Sequence, residues 1–432
     1  MIDKLIRTLL RGYGRLLPGG TRNSRPVEGN ASTMRIGEKL WWAHKFFVRP
    51  VEQAQRGTDI ERRFARMRLG FEPPTDFTPE LTGVLASGGD LLSAEQVRPD
   101  NTTHLFDDVA DFAFEADLTI ANLETPVAPS RSLGAPPRSI LSAPPLNSSV
   151  GMLRVFTGIG SRYGFFSTAN NHCLDQGIEG LRETLDVLDA EGIGHVGTAR
   201  TPSEQDDIPV VDMNGIRVAV LSYTFSVNGR PFPPEQAYSA NYVRLNLENP
   251  DLGLIEKHVT IARSRGADAI VACAHWSLEF ESFPIQHVID NGHRIADLGV
   301  DVILGNHPHV VQPMERYRFT DPATDLEKDA LIVYAQGDTV SYLPAVPNSM
   351  LGMLVRVQLT RGVQNGIRTT RVTGVEHRFI TTAAVFDGDT CTDFRVLDLD
   401  AELDRPTATP GTPTRAELQR LRALADRLAP RE

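Results

Sequence analysis

The chain has 432 residues, of which 41% are hydrophobic, 23% charged and 7% aromatic, an ordinary globular composition. It excludes disordered, collagen-like and disulfide-scaffold classes. The net charge of −11 is unevenly spread: residues 1–70 carry 15 Lys/Arg against 6 Asp/Glu, and the rest carries 29 against 49. An acidic body argues against a nucleic-acid partner, and the basic arm is read as packing on that body.

The chain begins MIDKLIRTLLRGYGRLLPGG, where Arg7, Arg11 and Arg15 interrupt the apolar residues. A secretory leader needs a run of about 7–15 apolar residues. A bilayer span needs about 20. Neither pattern is present, so the expectation is a cytoplasmic protein without an integral membrane segment. Leu5, Leu9, Leu10, Leu16 and Leu17 suit a short basic amphipathic helix. Residues 1–35 read as a basic arm and residues 36–79 as a helical extension broken near Pro50. Its Trp41, Trp42, Phe46 and Phe47 need a surface to cover.

From residue 80 to 400, short β-branched runs alternate with helical patterns. Strands are expected at 83–87, 118–121, 165–168, 218–223, 269–274, 300–304 and 331–335, and helices at 178–191, 252–265 and 284–298. That alternation is the mark of a largely parallel α/β sheet covered by helices. Residues 350–398 read instead as hairpin strands. In the final segment, 401–432, a Pro/Thr linker (405–414) precedes an amphipathic helix marked by Leu418, Leu421, Leu424 and Leu428.

The polar punctuation falls at the strand ends. Asp90, Asn122 with Glu124, Asn171 with His172, His275, His307 with His309, and Asp338 each follow a predicted strand. Open α/β sheets place their sites at the carboxyl ends of strands, so these groups are expected to converge. Carboxylates, a carboxamide and imidazoles without thiolates suit a divalent cation, with Ca, Mn, Fe and Zn undistinguished. If the His307-Pro308-His309 turn is extended, its two imidazoles reach neighbouring metal positions. No P-loop, dinucleotide fingerprint, nucleophile elbow or HExxH is present, and no organic cofactor is expected. Cys173, Cys273 and Cys391 are too scattered for a thiolate zinc site or a disulfide framework, which fits a reducing compartment.

The motifs GGDLL, ANLETPV, TANNHCLDQG, HWSLE and GNHPHVVQ, between residues 83 and 345, together resemble the CapA family of capsule and poly-γ-glutamate biosynthesis proteins. That family lies within the calcineurin-like metallophosphoesterase superfamily. The resemblance implies an α/β/β/α sandwich, here with an N-terminal helical extension and a C-terminal helix. It also implies that Asp90, Glu124 and His309 ligate one metal, with Glu124 able to bridge, and that Asn171, His275 and His307 ligate a second. His172 resembles the acid that protonates a leaving group. Two departures stand out. Leu92 replaces the histidine of the superfamily's Asp-x-His, which weakens one metal position, and Asp338 stands where the family has a neutral amide.

One metal, imidazoles and an added carboxylate suit proton transfer beside a carbonyl. The chain is similar to the lasso-peptide C-terminal epimerase branch. The expected reaction is metal-dependent Cα epimerisation, L to D, of the last residue of a ribosomally made precursor peptide, with His172, Asp338, Asp90 and His309 as acid/base groups. The alternative is CapA-type hydrolysis or transfer on poly-γ-glutamate, a capsule polymer or a phosphoester. The expected partner is the C-terminus of a peptide substrate; nothing in the chain sets an oligomeric state.

Overall fold

The computed structural model describes Leu10 and residues 34–135, 145–230 and 232–429. The remaining residues of the predicted basic arm and its amphipathic helix lie outside the described residues. Fourteen strands are described: β1 (Phe77–Leu91), β2 (Leu118–Leu123), β3 (Phe165–Ser167), β4 (Gly194–Val196), β5 (Val210–Met213), β6 (Ile216–Thr224), β7 (Ala269–His275), β8 (Val302–Asn306), β9 (Val311–Thr320), β10 (Glu327–Gln336), β11 (Asp338–Val340), β12 (Gly352–Gln364), β13 (Ile367–Asp387) and β14 (Thr390–Asp398). The longer described helices are α1 (Ile36–Phe47), α2 (Val150–Thr157), α3 (Gly177–Ala190), α4 (Gly253–Ser264), α5 (Gln286–Asp297) and α6 (Arg415–Leu428).

The strands form two sheets, ordered β14-β13-β12-β1-β2-β3-β4, with β11 beside the end of β1, and β5-β6-β7-β8-β10-β9. Strands β1 to β4 pair in parallel, as do β6, β7, β8 and β10. Every residue of β2, β3, β7 and β8 is buried. This is why those segments read as unbroken apolar runs rather than alternating ones.

Successive residues serve different layers. Leu85, Ile120 and Phe165 of the first sheet share the largest core cluster with Val218, Val271, Leu304 and Ile332 of the second. Their neighbours Ala121 and Phe166 point the other way, into a separate cluster with Met152, Leu153 and Phe156 of α2. Ile255 and Val259 of α4, and Val288, Ile289 and Ile295 of α5, cover the second sheet. The result is the expected α/β/β/α arrangement, with antiparallel hairpins β12 to β14 extending one side.

Several boundaries differ from the sequence expectation. β1 begins at Phe77, inside the predicted helical extension, and runs through both glycines to Leu91, so Asp90 lies within the strand rather than in the loop after it. β9 was not expected. Its sequence, VQPMERYRFT, mixes charge with a proline, which an edge strand paired only to β10 tolerates. The tail is no appendage: Leu418, Leu421, Leu424 and Leu428 of α6 sit in the main core beside Phe64 and Phe71 of the extension. A capping box starts α6, with Thr414 Oγ1 accepting from the Glu417 N–H and the Glu417 carboxylate accepting from the Thr414 N–H. Among the described residues, no helix is long and apolar enough to cross a membrane.

Candidate metal centre

Strand register brings the polar groups together. Asp90 of β1 lies opposite Asn122 of β2 and Asp338 of β11, and His275 at the end of β7 lies opposite Asn306 at the end of β8. Glu124 follows β2 directly, and His307 follows β8. The approach of β11 to β1 depends on Gly89, where a Cβ would lie 1.8 Å from the Gly337 carbonyl oxygen. That close contact lets the Asp90 N–H donate to the same oxygen at 3.0 Å.

Two groups of three side chains result, Asp90, Glu124 and His309, and Glu124, His275 and His307. Within each group one donor atom per residue lies within 4.8 Å of the others, and Glu124 belongs to both. Glu124 Oε1 is 3.5 Å from His275 Nε2 and 3.7 Å from His309 Nε2. Asn171 Oδ1 is 2.9 Å from His275 Nε2, at the edge of the second group. Asn122 Nδ2 donates to Asp90 Oδ1 at 2.7 Å, and the His307 N–H donates to Asp90 Oδ2 at 3.1 Å. Asp338 Oδ1 is 2.9 Å from His309 Nδ1, which lies 3.8 Å from Asp90 Oδ2. Asp90, Glu124, Asn171, His275, His307, His309 and Asp338 are all buried.

The His307-Pro308-His309 turn is not extended. His307 has φ +100° and His309 φ +53°, left-handed values that cost a residue with a Cβ on the order of 1–3 kcal/mol each. They splay the rings to centroids 6.1 Å apart. His307 turns to His275, with ring centroids 4.8 Å apart, and His309 turns to Asp90 and Asp338.

The electrostatics suit a cation. Both carboxylate oxygens of Glu124 and both ring nitrogens of His307 are buried without a hydrogen-bond partner. Leaving such groups unpaired costs about 1–3 kcal/mol each, and a divalent ion would satisfy them together. Burial pushes the Asp90 carboxyl up to about 7; the His309 charge opposes this and Asp338 adds to it. Burial, reinforced by Asp90, holds Glu124 well above its ordinary range. Burial also holds His275 and His307 well below theirs, leaving neutral imidazoles with a lone pair to offer. For His309, burial acts downward, but Glu124, Asp338 and Asp90 outweigh it and hold the ring well above its usual value. The donor set therefore fits one or two divalent ions.

His172 stands outside both groups, half-buried. Its Nδ1 is 2.8 Å from Asp175 Oδ2, and its N–H donates to Asn170 Oδ1. The guanidinium of Arg230 lies 3.8 Å from the other Asp175 oxygen. Leu92 packs with Leu146 and Leu343. Asn122 was among the strand-end groups expected to converge but was given no ligand or catalytic role, and Asn170 and Phe280 were not expected at all. The two asparagines had a signal, their place at the ends of β2 and β3. Phe280, whose ring stacks on His309 at 6.0 Å between centroids, had none.

Residues 84–343 match the family model described as bacterial capsule synthesis protein PGA_cap. The chain is 30% identical over 176 residues to the capsule biosynthesis protein CapA of Bacillus anthracis, covering 40% of this chain and 38% of that protein. It is 28% identical over 155 residues to the PGA biosynthesis protein CapA of Bacillus subtilis (strain 168), covering 36% and 39%. The chain thus spans less than two-fifths of the length of these curated relatives. The solved structure of calcineurin-like phosphoesterase YfkN from Bacillus subtilis aligns over 70% of this chain and 91% of that one, at 12% identity and a TM-score of 0.36.

Proposed function

Since the chain belongs to the PGA_cap family of bacterial capsule synthesis proteins, we propose that it is a metal-dependent enzyme that hydrolyses or transfers a bond in a capsule or poly-γ-glutamate type polymer or in a phosphoester. The observation that carries this reading is Glu124, shared by two buried three-residue groups. Asp90, Glu124 and His309 would hold one ion, and Glu124, His275 and His307, with Asn171 beside them, would hold a second. Bound divalent ions supply charge stabilisation and orient the reacting groups.

The chain's own residues do the rest. Asp338 accepts from His309 Nδ1 and so aims Nε2 at the Glu124 carboxylate, a contact that fixes both tautomer and ring orientation. Asp175 does the same for His172, leaving its Nε2 to hand a proton to the leaving group. The wall of the site is apolar on one side, where Phe225 lies against His307 with centroids 4.7 Å apart.

A second reading, Cα epimerisation of the C-terminal residue of a lasso-type precursor peptide, is favoured by one arrangement. Asp338, which belongs to neither ligand group, lies 2.9 Å from His309 Nδ1 and adds one proton-carrying group beyond those that metal ligation uses. One group would take the Cα proton of an ion-polarised carboxyl-terminal residue while another returns a proton to the opposite face. The free, buried cysteines Cys173, Cys273 and Cys391 suit a cytoplasmic setting for either reaction.

Incubating Mn²⁺-loaded protein in D₂O with poly-γ-glutamate, a simple phosphoester and candidate precursor peptides separates these readings. A shortened polymer or released phosphate, slowed about 10²-fold or more in His172→Ala, supports the first. Deuterium at one Cα in a peptide of unchanged length supports the second. A protein that binds its ions and performs neither reaction overturns both.

A further inference from the structure

Helix α1 lies outside the matched segment, yet it reaches the metal centre through an unbroken set of contacts. Trp42 and Phe46 pack on Phe280 with ring centroids 6.0 and 5.4 Å away. Phe280 stacks in turn on His309, at 6.0 Å and an interplanar angle of 29°. The backbone repeats the link. Val51, just after α1, donates to the Phe280 carbonyl at 2.8 Å and accepts from the Ser282 N–H at 2.8 Å, while the Phe280 N–H donates to Pro308 at 2.8 Å. Two polar pins hold α1 in place: the Trp42 indole N–H donates to Glu279, and the fully buried Lys45 ammonium donates to Glu281 Oε1 at 2.9 Å.

The segment so held is strained. Phe280 has φ +62°, and it touches a turn in which His307 and His309 are also left-handed. Such conformations persist only where surrounding contacts over-determine them. On the His309 ring, Asp338 fixes Nδ1 at the edge and Phe280 covers a face, and Phe280 is itself packed by Trp42 and Phe46 of α1 together with Val310 and Val346.

We infer that α1 is a positioning element of the metal centre: Trp42 and Phe46, acting through Phe280, hold the His309 imidazole and set the affinity of the Asp90–Glu124–His309 position for its divalent ion. This rests on the metal reading above. Trp42 is a positioning residue here, and the ion at the Glu124–His275–His307 position responds to it less, because the ring that Phe280 stacks on is His309, which is not a member of that group.

The test is calorimetric titration of the metal-free full chain with Mn²⁺, with bound ions counted by elemental analysis. In Trp42→Ala, the dissociation constant of one ion rises ten- to a hundredfold, about what loss of a group orienting a ligand costs elsewhere, while that of the other ion rises less. The weakened ion is the one His309→Ala also loses, and Trp42→Phe restores it. Phe46→Leu, a milder change in the same stack, gives the same unequal effect if Trp42→Ala fails to fold. Wild-type uptake of two ions with both unchanged in Trp42→Ala, or both weakened in proportion to a loss of metal-free stability, overturns the inference alone. A wild type that binds no ion overturns the metal reading and the inference with it.

Discussion

Replacing Glu124 by Gln separates the cost of the site from its use. Without a cation, the Glu124 carboxyl is buried with neither oxygen hydrogen-bonded, and burial with the neighbouring Asp90 holds it well above its ordinary 4.5. Above pH 4.5 the unfolded chain releases this proton while the folded chain keeps it. Stability therefore falls as pH rises, by up to about 1.4 kcal/mol per unit until the folded value is passed. Gln keeps the shape, carries no charge and can turn its amide oxygen to the His275 Nε2–H, which lies 3.5 Å from Glu124 Oε1 and already donates to Asn171 Oδ1. Unfolding entropy near 2.1 cal/mol/K per residue gives roughly 0.8 kcal/mol per degree for about 400 folded residues. Two pH units of this proton linkage thus amount to about 3 °C in Tm.

Metal reverses the ranking. Each ion at a hundred times its Kd adds about 2.7 kcal/mol, so two ions raise the wild-type Tm by roughly 6 °C. Glu124 is the residue common to both groups, and Glu124→Gln weakens both positions together. Thermal scans of both proteins with chelator and with Mn²⁺, across a pH series starting near 5, measure all of this. The expected outcome is a metal-free variant more stable than wild type by a margin that grows with pH, and a variant that Mn²⁺ does not stabilise. A metal-free variant less stable than wild type at the alkaline end, or one that gains as much from Mn²⁺ as wild type, refutes the reasoning.

Two further expectations concern the scaffold. Burial pushes His258 down to about 4; its Nδ1 is 3.0 Å from the Tyr223 hydroxyl and its Nε2 3.6 Å from Asp206, with Lys257 adjacent. Its stability contribution is present above pH 6.5 and lost on acidification, about 2 kcal/mol between pH 7 and 5, and urea titrations of His258→Asn should show a pH dependence weaker by that amount. Leu424→Ala, at a position 4% exposed in the main core, should cost 2–5 kcal/mol, or about 2–6 °C by calorimetry. No change there would mean that α6 does not belong to the core.

The parallel body was legible because its signals are local. The buried runs at 118–121 and 269–274 and the helical faces of α3, α4 and α5 announce themselves within a few residues. So does the polar residue that ends each strand, and the rule that sites form at carboxyl strand ends carried those residues to one place. β9 and the early start of β1 were not legible, because the pairing of edge and mixed-polarity strands is decided by their neighbours.

The residue types that converge at the strand ends, with no thiolate among them, were thus legible in the chain itself, whereas the ligand assignments and the departures at Leu92 and Asp338 came from the family resemblance. Only the folded chain decided which donors share Glu124, that the His307–His309 turn is left-handed rather than extended, that Asp338 serves His309, and that α1 and α6 belong to the body. Each of those outcomes depends on contacts between residues far apart in sequence, such as Trp42 with Phe280 or Glu124 with His309. Their energies exist only once both partners are in place.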